Sequence, residues 1–272
     1  MQEGAGPATT MNIVVCVKYV PDATADPRFE SDNTVDRVGV DGLLSELDEY
    51  AVEQALQLKE GTEEEVTVTA RPVGPEKAAD AVRKALQMGA DQGVHVQDEA
   101  IAGSDAIATS LVLAKAIEKV GSVDVVLCGM ASTDGAMSVV PAMLAERLGL
   151  PQVTLGSRIE RKENQLAVQR DGDTATEVVI GSMPLVASVT DQSGEARYPS
   201  FKGIMAAKKK PLENYTLGDL GVDAGDVGLS VAWSAVEETT ERPPRTAGEI
   251  VKDEDGSGAT ALVGFLASKK FI

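Results

Sequence analysis

From Asn12 to Leu148 the chain alternates short branched apolar runs with amphipathic segments closed by glycine, and this alternation leaves few folds open. Asn12–Val17 (NIVVCV), Val66–Ala70 (VTVTA), Gly93–Val96 (GVHV) and Val123–Cys128 (VDVVLC) are short and rich in valine. Such runs read as buried strands rather than helices. Ser45–Glu60 instead puts Leu47, Tyr50, Ala51, Ala55 and Leu58 on one helical face. Ser45 stands at the N-cap, Asp48 completes a capping box, and Gly61 ends the helix. The pattern predicts further helices over Glu76–Met88, from a Ser104 cap to Val120, and over Val140–Leu148. Strand and helix in strict alternation predict a doubly wound α/β fold, a parallel sheet covered on both faces.

After Pro151 the pattern changes. LAVQRDGDTATEVVIG places two extended runs around Asp171-Gly172-Asp173, a hairpin signal, and Pro184–Thr190 (PLVASVT) is one more strand. The parallel part therefore gains an antiparallel extension in the same domain. Arg197–Met205 (RYPSFKGIM) is a polar segment with an aromatic at its tip. The remaining stretch has few strong elements and cannot bury enough apolar surface to offset its own ordering entropy. The expected organisation is a disordered lead-in at 1–10, with Met11 as an alternative start, an α/β nucleotide-binding domain at 11–210, and an extended partner-wrapping arm at 211–272.

Composition excludes several functions. The 25 Lys and Arg face 43 Asp and Glu, a formal charge of −18, so phosphate backbones and anionic lipid are repelled. No apolar run approaches the roughly 20 residues of a membrane span, and MQEGAGPATT lacks the regions of a signal peptide. The expected location is the cytoplasm. Two cysteines, Cys16 and Cys128, and one histidine, His95, make no metal cluster. His95 reads as a structural histidine in a strand, and the cysteines as small apolar residues at strand ends. Lys208–Lys210 reads as a cationic helix end.

In a parallel sheet, ligands sit beyond the C-terminal ends of the strands. Three loops qualify: Lys18–Asp22, Arg71–Pro75 and Gly129–Ser138. The last holds two glycines, Ser132, Thr133, Ser138 and Asp134 just before a helix, a setting that suits phosphate. An ordinary strand-to-helix connection fits the same residues. Neither GxGxxG nor GxxxxGK[ST] occurs. Phe201 in its polar segment reads either as a protein-docking anchor or as a side chain folded back onto the body.

Six segments in this order resemble the electron transfer flavoprotein β subunit family, from Met11 to Ile272. They are VCVKYVPD, LDEYAVEQALQLKE, GPEKAADAVRKALQMGAD, CGMASTDGAMSVVPAMLAERLGLPQ, VQRDGDTATEVVIGSMPLVASV and RYPSFKGIMAAKKKP, with GDLGVD following. The resemblance implies an adenine nucleotide alpha hydrolase-like fold and an electron-transfer subunit rather than an enzyme. It implies a heterodimer with an α subunit that holds most of the FAD, and a structural AMP in this chain. Family AMP contacts fall on Cys16, on Ser45, Glu46, Leu47 and Asp48, and on Val73. They also fall on Gly129, Met130, Ala131, Ser132, Thr133, Asp134, Gly135, Ala136, Met137, Ser138, Val139 and Val140. Docking of an acyl-CoA dehydrogenase or similar flavoprotein dehydrogenase falls on Arg197, Tyr198, Pro199, Ser200, Phe201, Lys202, Ile204 and Met205, within a docking loop at 195–205. Electrons then pass to a quinone oxidoreductase, as in fatty acid β-oxidation. The chain has Ser45-Glu46 where many relatives have Asn-Pro, and Phe201 where many have Leu. Some members carry a second FAD in place of AMP and bifurcate electrons. A third reading is an adenine-nucleotide hydrolase or ligase of the same superfamily, which needs a glycine-rich loop after the first strand; Lys18-Tyr19-Val20-Pro21 has no glycine.

Overall fold

The computed structural model describes residues 10–24, 26–240, 243, 247–253 and 256–272. All but Thr10 of the expected lead-in lies outside the described residues. The chain divides into two compact units, Met1–Glu237 and Glu238–Ile272.

The first unit opens with β1 (Met11–Cys16), the small antiparallel pair β2 (Tyr19–Pro21) and β3 (Gly42–Leu44), and α1 (Glu46–Glu60). Next come β4 (Val66–Arg71), α2 (Ala79–Met88), β5 (Gln92–Val96), α3 (Ala106–Val120), β6 (Val125–Gly129) and α4 (Val140–Leu148). The chain continues through β7 (Gln152–Gly156), β8 (Arg158–Lys162), β9 (Gln165–Asp171), β10 (Thr176–Ser182) and β11 (Leu185–Val189). It ends in α5 (Phe201–Ala207), β12 (Leu212–Tyr215) and α6 (Leu217–Leu220).

Seven strands form one sheet in the order β12-β5-β4-β1-β6-β11-β7, and every pairing is parallel. The period of two in β1 sorts its side chains. Ile13 and Val15 enter the core beneath α1 and α2, with Ala51, Val52, Ala55, Val82 and Ala85. Val14 and Cys16 enter the opposite core with Leu113, Ile117 and Leu144 of α3 and α4. Small helix residues against valine-rich strands let the layers approach closely, which suits a chain with so few aromatics. β8, β9 and β10 form the expected antiparallel extension, joined to the main core through Leu166 and Val168.

Local details depart from the sequence pattern. Glu76–Ala78 is a single 3-10 turn before α2. The cap of α3 is Asp105, whose carboxylate accepts from the Ala108 amide at 3.0 Å, while Ser104 Oγ accepts from the Gly228 amide at 2.8 Å. Ser45 begins α1 without a side-chain cap, and Asp48 bonds elsewhere. Residues 212–237, which the sequence pattern assigns to an arm from residue 211, fold with the first unit. β12 pairs with β5 as the sheet's edge strand, and Leu217, Leu220, Val222 and Val227 are buried with α3. The second unit contains α7 (Ser257–Ser268), on which Leu262, Val263 and Phe265 are exposed.

Candidate functional site at the strand-order reversal

The chain runs outward from β1 through β4 to β5, then returns across β1 to β6. The reversal therefore lies between β1 and β6, the place where folds of this kind bind ligands, and the loops leaving the C-terminal ends of the two strands meet there. Cys16 and Cys128 are in-register neighbours on these strands, both buried and unbridged. The Cys16 thiol beside it and burial together hold the Cys128 thiol well above its ordinary range.

Tertiary contacts gather three nominated segments at this point. The start of α1 presses on the end of β6: a Cβ added to Gly129 would lie 2.6 Å from both Asp48 Oδ1 and the Leu47 carbonyl. Thr133 donates its amide to Ser45 Oγ at 3.4 Å. Asp48 accepts from the Lys18 amide at 2.8 Å, tying α1 to the segment after β1. Burial dominates at Asp48 and pushes its carboxyl up to about 7, against the opposing Lys18 and Gly129 amides.

Lys18, which opens one of the nominated loops, and Arg37, which the sequence pattern did not single out, complete the arrangement. Lys18 Nζ donates to Asp134 Oδ1 at 2.8 Å and to Ser132 Oγ at 3.3 Å, and Arg37 pairs with the other Asp134 oxygen. Burial works to raise the Asp134 carboxyl, but the two cations overcome it and hold the group below the usual carboxylate range. Burial lowers the Lys18 ammonium. Two cations, Lys18 and Arg37, thus converge on the Asp134 carboxylate of this loop within a protein of formal charge −18.

From Gly135 to Ser138 the loop is exposed, and Ala136 (φ 49°) and Ser138 (φ 57°) adopt the left-handed conformation that non-glycine residues rarely take. The amides of Met137, Ser138, Val139 and Val140 and the hydroxyls of Thr133 and Ser138 donate to no other described residue. Met130, Ala131 and Val139 are half-buried along the same loop. Such a set of donors at a helix start, beside two cations, fits the phosphate of a nucleotide. Glu46 is exposed at the head of α1.

Other nominated residues stand apart. Val73 lies at the same edge of the sheet but bridges to Val96 and packs between two core clusters. Arg71 is fully buried and donates to the Ala116 carbonyl of α3. His95 Nε2 lies 3.0 Å from the Gly74 carbonyl, a buried structural contact.

The segment 195–205 forms a second site. Phe201 is the first residue of α5, capped by Ser200 Oγ, which accepts from the Gly203 amide at 3.0 Å. Tyr198 (92% exposed) and Phe201 (81%) project into solvent, with Lys202, Ile204 and Met205 exposed beside them and Pro199 half-buried. Both ends are fastened. Arg197 makes paired contacts to Glu53 and Glu60 of α1, at 2.6 to 3.0 Å. Lys210 donates to the Leu86 and Ala90 carbonyls at the end of α2, so this cation compensates α2 rather than its own helix. Among the described residues no group of acidic, histidine or cysteine side chains is arranged to hold a metal, and no helix is long and apolar enough to cross a membrane.

Comparison with known proteins agrees over nearly the whole chain. The electron transfer flavoprotein domain matches residues 32–220. An electron transfer flavoprotein subunit beta from Mycobacterium tuberculosis is 43% identical over 267 residues, covering 96% of this chain and 99% of that protein. The same-named subunit from Mycobacterium leprae is also 43% identical over 267 residues, with the same coverage. That of Megasphaera elsdenii is 33% identical over 252 residues, covering 90% and 93% of the two chains. With its parallel sheet, its strand-order reversal between β1 and β6 and this near-complete match, the chain belongs to the electron transfer flavoprotein β-subunit family, whose members are electron-transfer subunits rather than enzymes.

Proposed function

We propose that this chain pairs with an electron transfer flavoprotein α subunit, binds AMP at the reversal between β1 and β6, and receives electrons from acyl-CoA or related flavoprotein dehydrogenases for delivery to a quinone oxidoreductase. FAD, held mostly by the α subunit, supplies the redox chemistry when bound. The observation that carries the AMP reading is the set of amides at 137–140 that have no partner among the described residues, on the loop whose Asp134 pairs with Lys18 and Arg37. AMP fits this donor set: its phosphate takes the amides and the cations, in a site built from Cys16, the 45–48 segment and the 129–140 loop. The role is structural. The nucleotide adds a further tie between loops already joined by the Lys18–Asp134 and Arg37–Asp134 pairs and by the Thr133–Ser45 bond.

The fastened segment with Tyr198 and Phe201 supports the docking role. An aromatic pair presented on a fixed frame loses little entropy on binding. The C-terminal arm, with exposed Leu262, Val263 and Phe265, is the part proposed to wrap the α subunit. The cytoplasm is the proposed location.

The test is mass spectrometry of small molecules released from the purified complex with its α subunit. AMP and FAD in equal amounts support this function. Two FAD and no AMP identify the bifurcating type of subunit and overturn the AMP assignment.

A further inference from the structure

We infer that Lys18 and Arg37 are the phosphate-reading residues of this site, and that Asp134 is the positioning residue that holds both cations there. The inference rests on the nucleotide reading above and adds the chemistry by which the site selects a phosphorylated ligand.

The geometry separates these residues from ordinary surface ion pairs. The Asp134 side chain is only 9% exposed, and Lys18 and Arg37 take different oxygens of its carboxylate. Arg37 is also held from behind, since its Nη1 donates to the Tyr19 carbonyl at 3.2 Å. The segment that carries it is fastened one residue later, where Lys77 Nζ donates to the Val38 carbonyl at 2.6 Å. The guanidinium is therefore fixed over the loop by contacts that do not depend on a ligand. Lys18 is fixed likewise, because its amide bonds Asp48 and its ammonium bonds Ser132 and Asp134.

The Asp134 carboxylate alone cannot neutralise two cations, and the second carboxylate nearby, Asp48, bonds the Lys18 amide rather than its ammonium and is pushed up to about 7 by burial. The remaining positive charge lies on Lys18 and Arg37, which pair with Asp134 of the loop whose amides at 137–140 have no partner among the described residues. A dianionic phosphate supplies both the missing charge and the missing acceptors. Adenosine, with the same base and sugar, supplies neither. The site should therefore favour AMP over adenosine through Lys18 and Arg37, whereas a bare helix terminus would give a smaller and less salt-sensitive preference.

The experiment is equilibrium titration of AMP and of adenosine into the full-length chain, refolded free of nucleotide, for wild type, Lys18→Met, Arg37→Met and Arg37→Lys. AMP should bind wild type more tightly than adenosine. Each Met substitution should weaken AMP binding at least about tenfold and leave adenosine within about twofold. Arg37→Lys keeps the charge without the fork and should recover part of the loss. Circular dichroism identifies any variant that has not folded, and Arg37→Lys then carries the comparison through its intermediate AMP affinity. AMP affinity unchanged in the folded variants overturns this inference and leaves the nucleotide reading standing. Wild-type chain that binds neither ligand overturns the nucleotide reading, and this inference with it.

Discussion

Arg197 places its Nε 2.7 Å from Glu53 Oε2 across 144 residues of sequence, and this pair fixes the exposed segment at 195–205 to α1. Burial raises the Glu53 carboxyl, but the hydrogen bonds from Arg197 and Gln57 more than offset it, so the group stays below its ordinary range. Arg197→Met leaves Glu53 nearly buried without its counter-charge. It should lower stability by roughly 1–3 kcal/mol, read as a shifted urea midpoint at unchanged slope. An unchanged midpoint would show that the pair is mere surface decoration.

Phe201 is a different case, because it touches solvent rather than the body. Phe201→Ala should leave the unfolding free energy within about 0.5 kcal/mol of wild type. It should slow electron acceptance from a dehydrogenase, with assembly of the complex intact. Stopped-flow transfer at the wild-type rate would remove the docking role.

Asp48 makes a prediction about pH. Its folded carboxyl is pushed up to about 7 by burial, while an unfolded aspartate titrates near ~3.9. The folded state therefore holds the extra proton between these values. The resulting stability is fully present below the unfolded pKa and is lost as pH rises toward about 7. The span is at most about 4 kcal/mol. Asp134 and Glu53, whose carboxyls are held low, are already ionised over most of this window. Asp48→Asn should flatten the fall in stability measured by urea unfolding across the window. A slope identical to wild type would refute the assignment.

Gly129 lies where α1 meets β6. A methyl group there would sit 2.6 Å from the Leu47 carbonyl, a backbone atom that cannot swing aside. Gly129→Ala should destabilise the chain by about 1–3 kcal/mol and reduce the AMP retained by the purified complex. Full retention at wild-type stability would mean that α1 shifts freely, against the packing described here.

The sheet and the loops worth inspecting were legible in the residue pattern alone. The alternation in β1, β4 and β6 and the glycine stops after α1, α2 and α4 are local signals, because strand and helix periods act over a few residues. They led directly to Gly129–Ser138, while Phe201 stands out by its polar surroundings, which fit docking outward and folding back alike. Tertiary structure decided what those loops face. Asp48 looks like half of a capping box, yet it serves the Lys18 amide 30 residues away. Lys18 and Arg37 meet Asp134 across 116 and 97 residues, and no spacing rule announces such a meeting. β12 reads LENY, too polar to declare itself a strand; its state is set by β5 supplying backbone partners at the sheet edge. Periodicity records which face of an element is apolar, whereas the partners of buried charges are fixed only when distant elements pack and leave those charges no water.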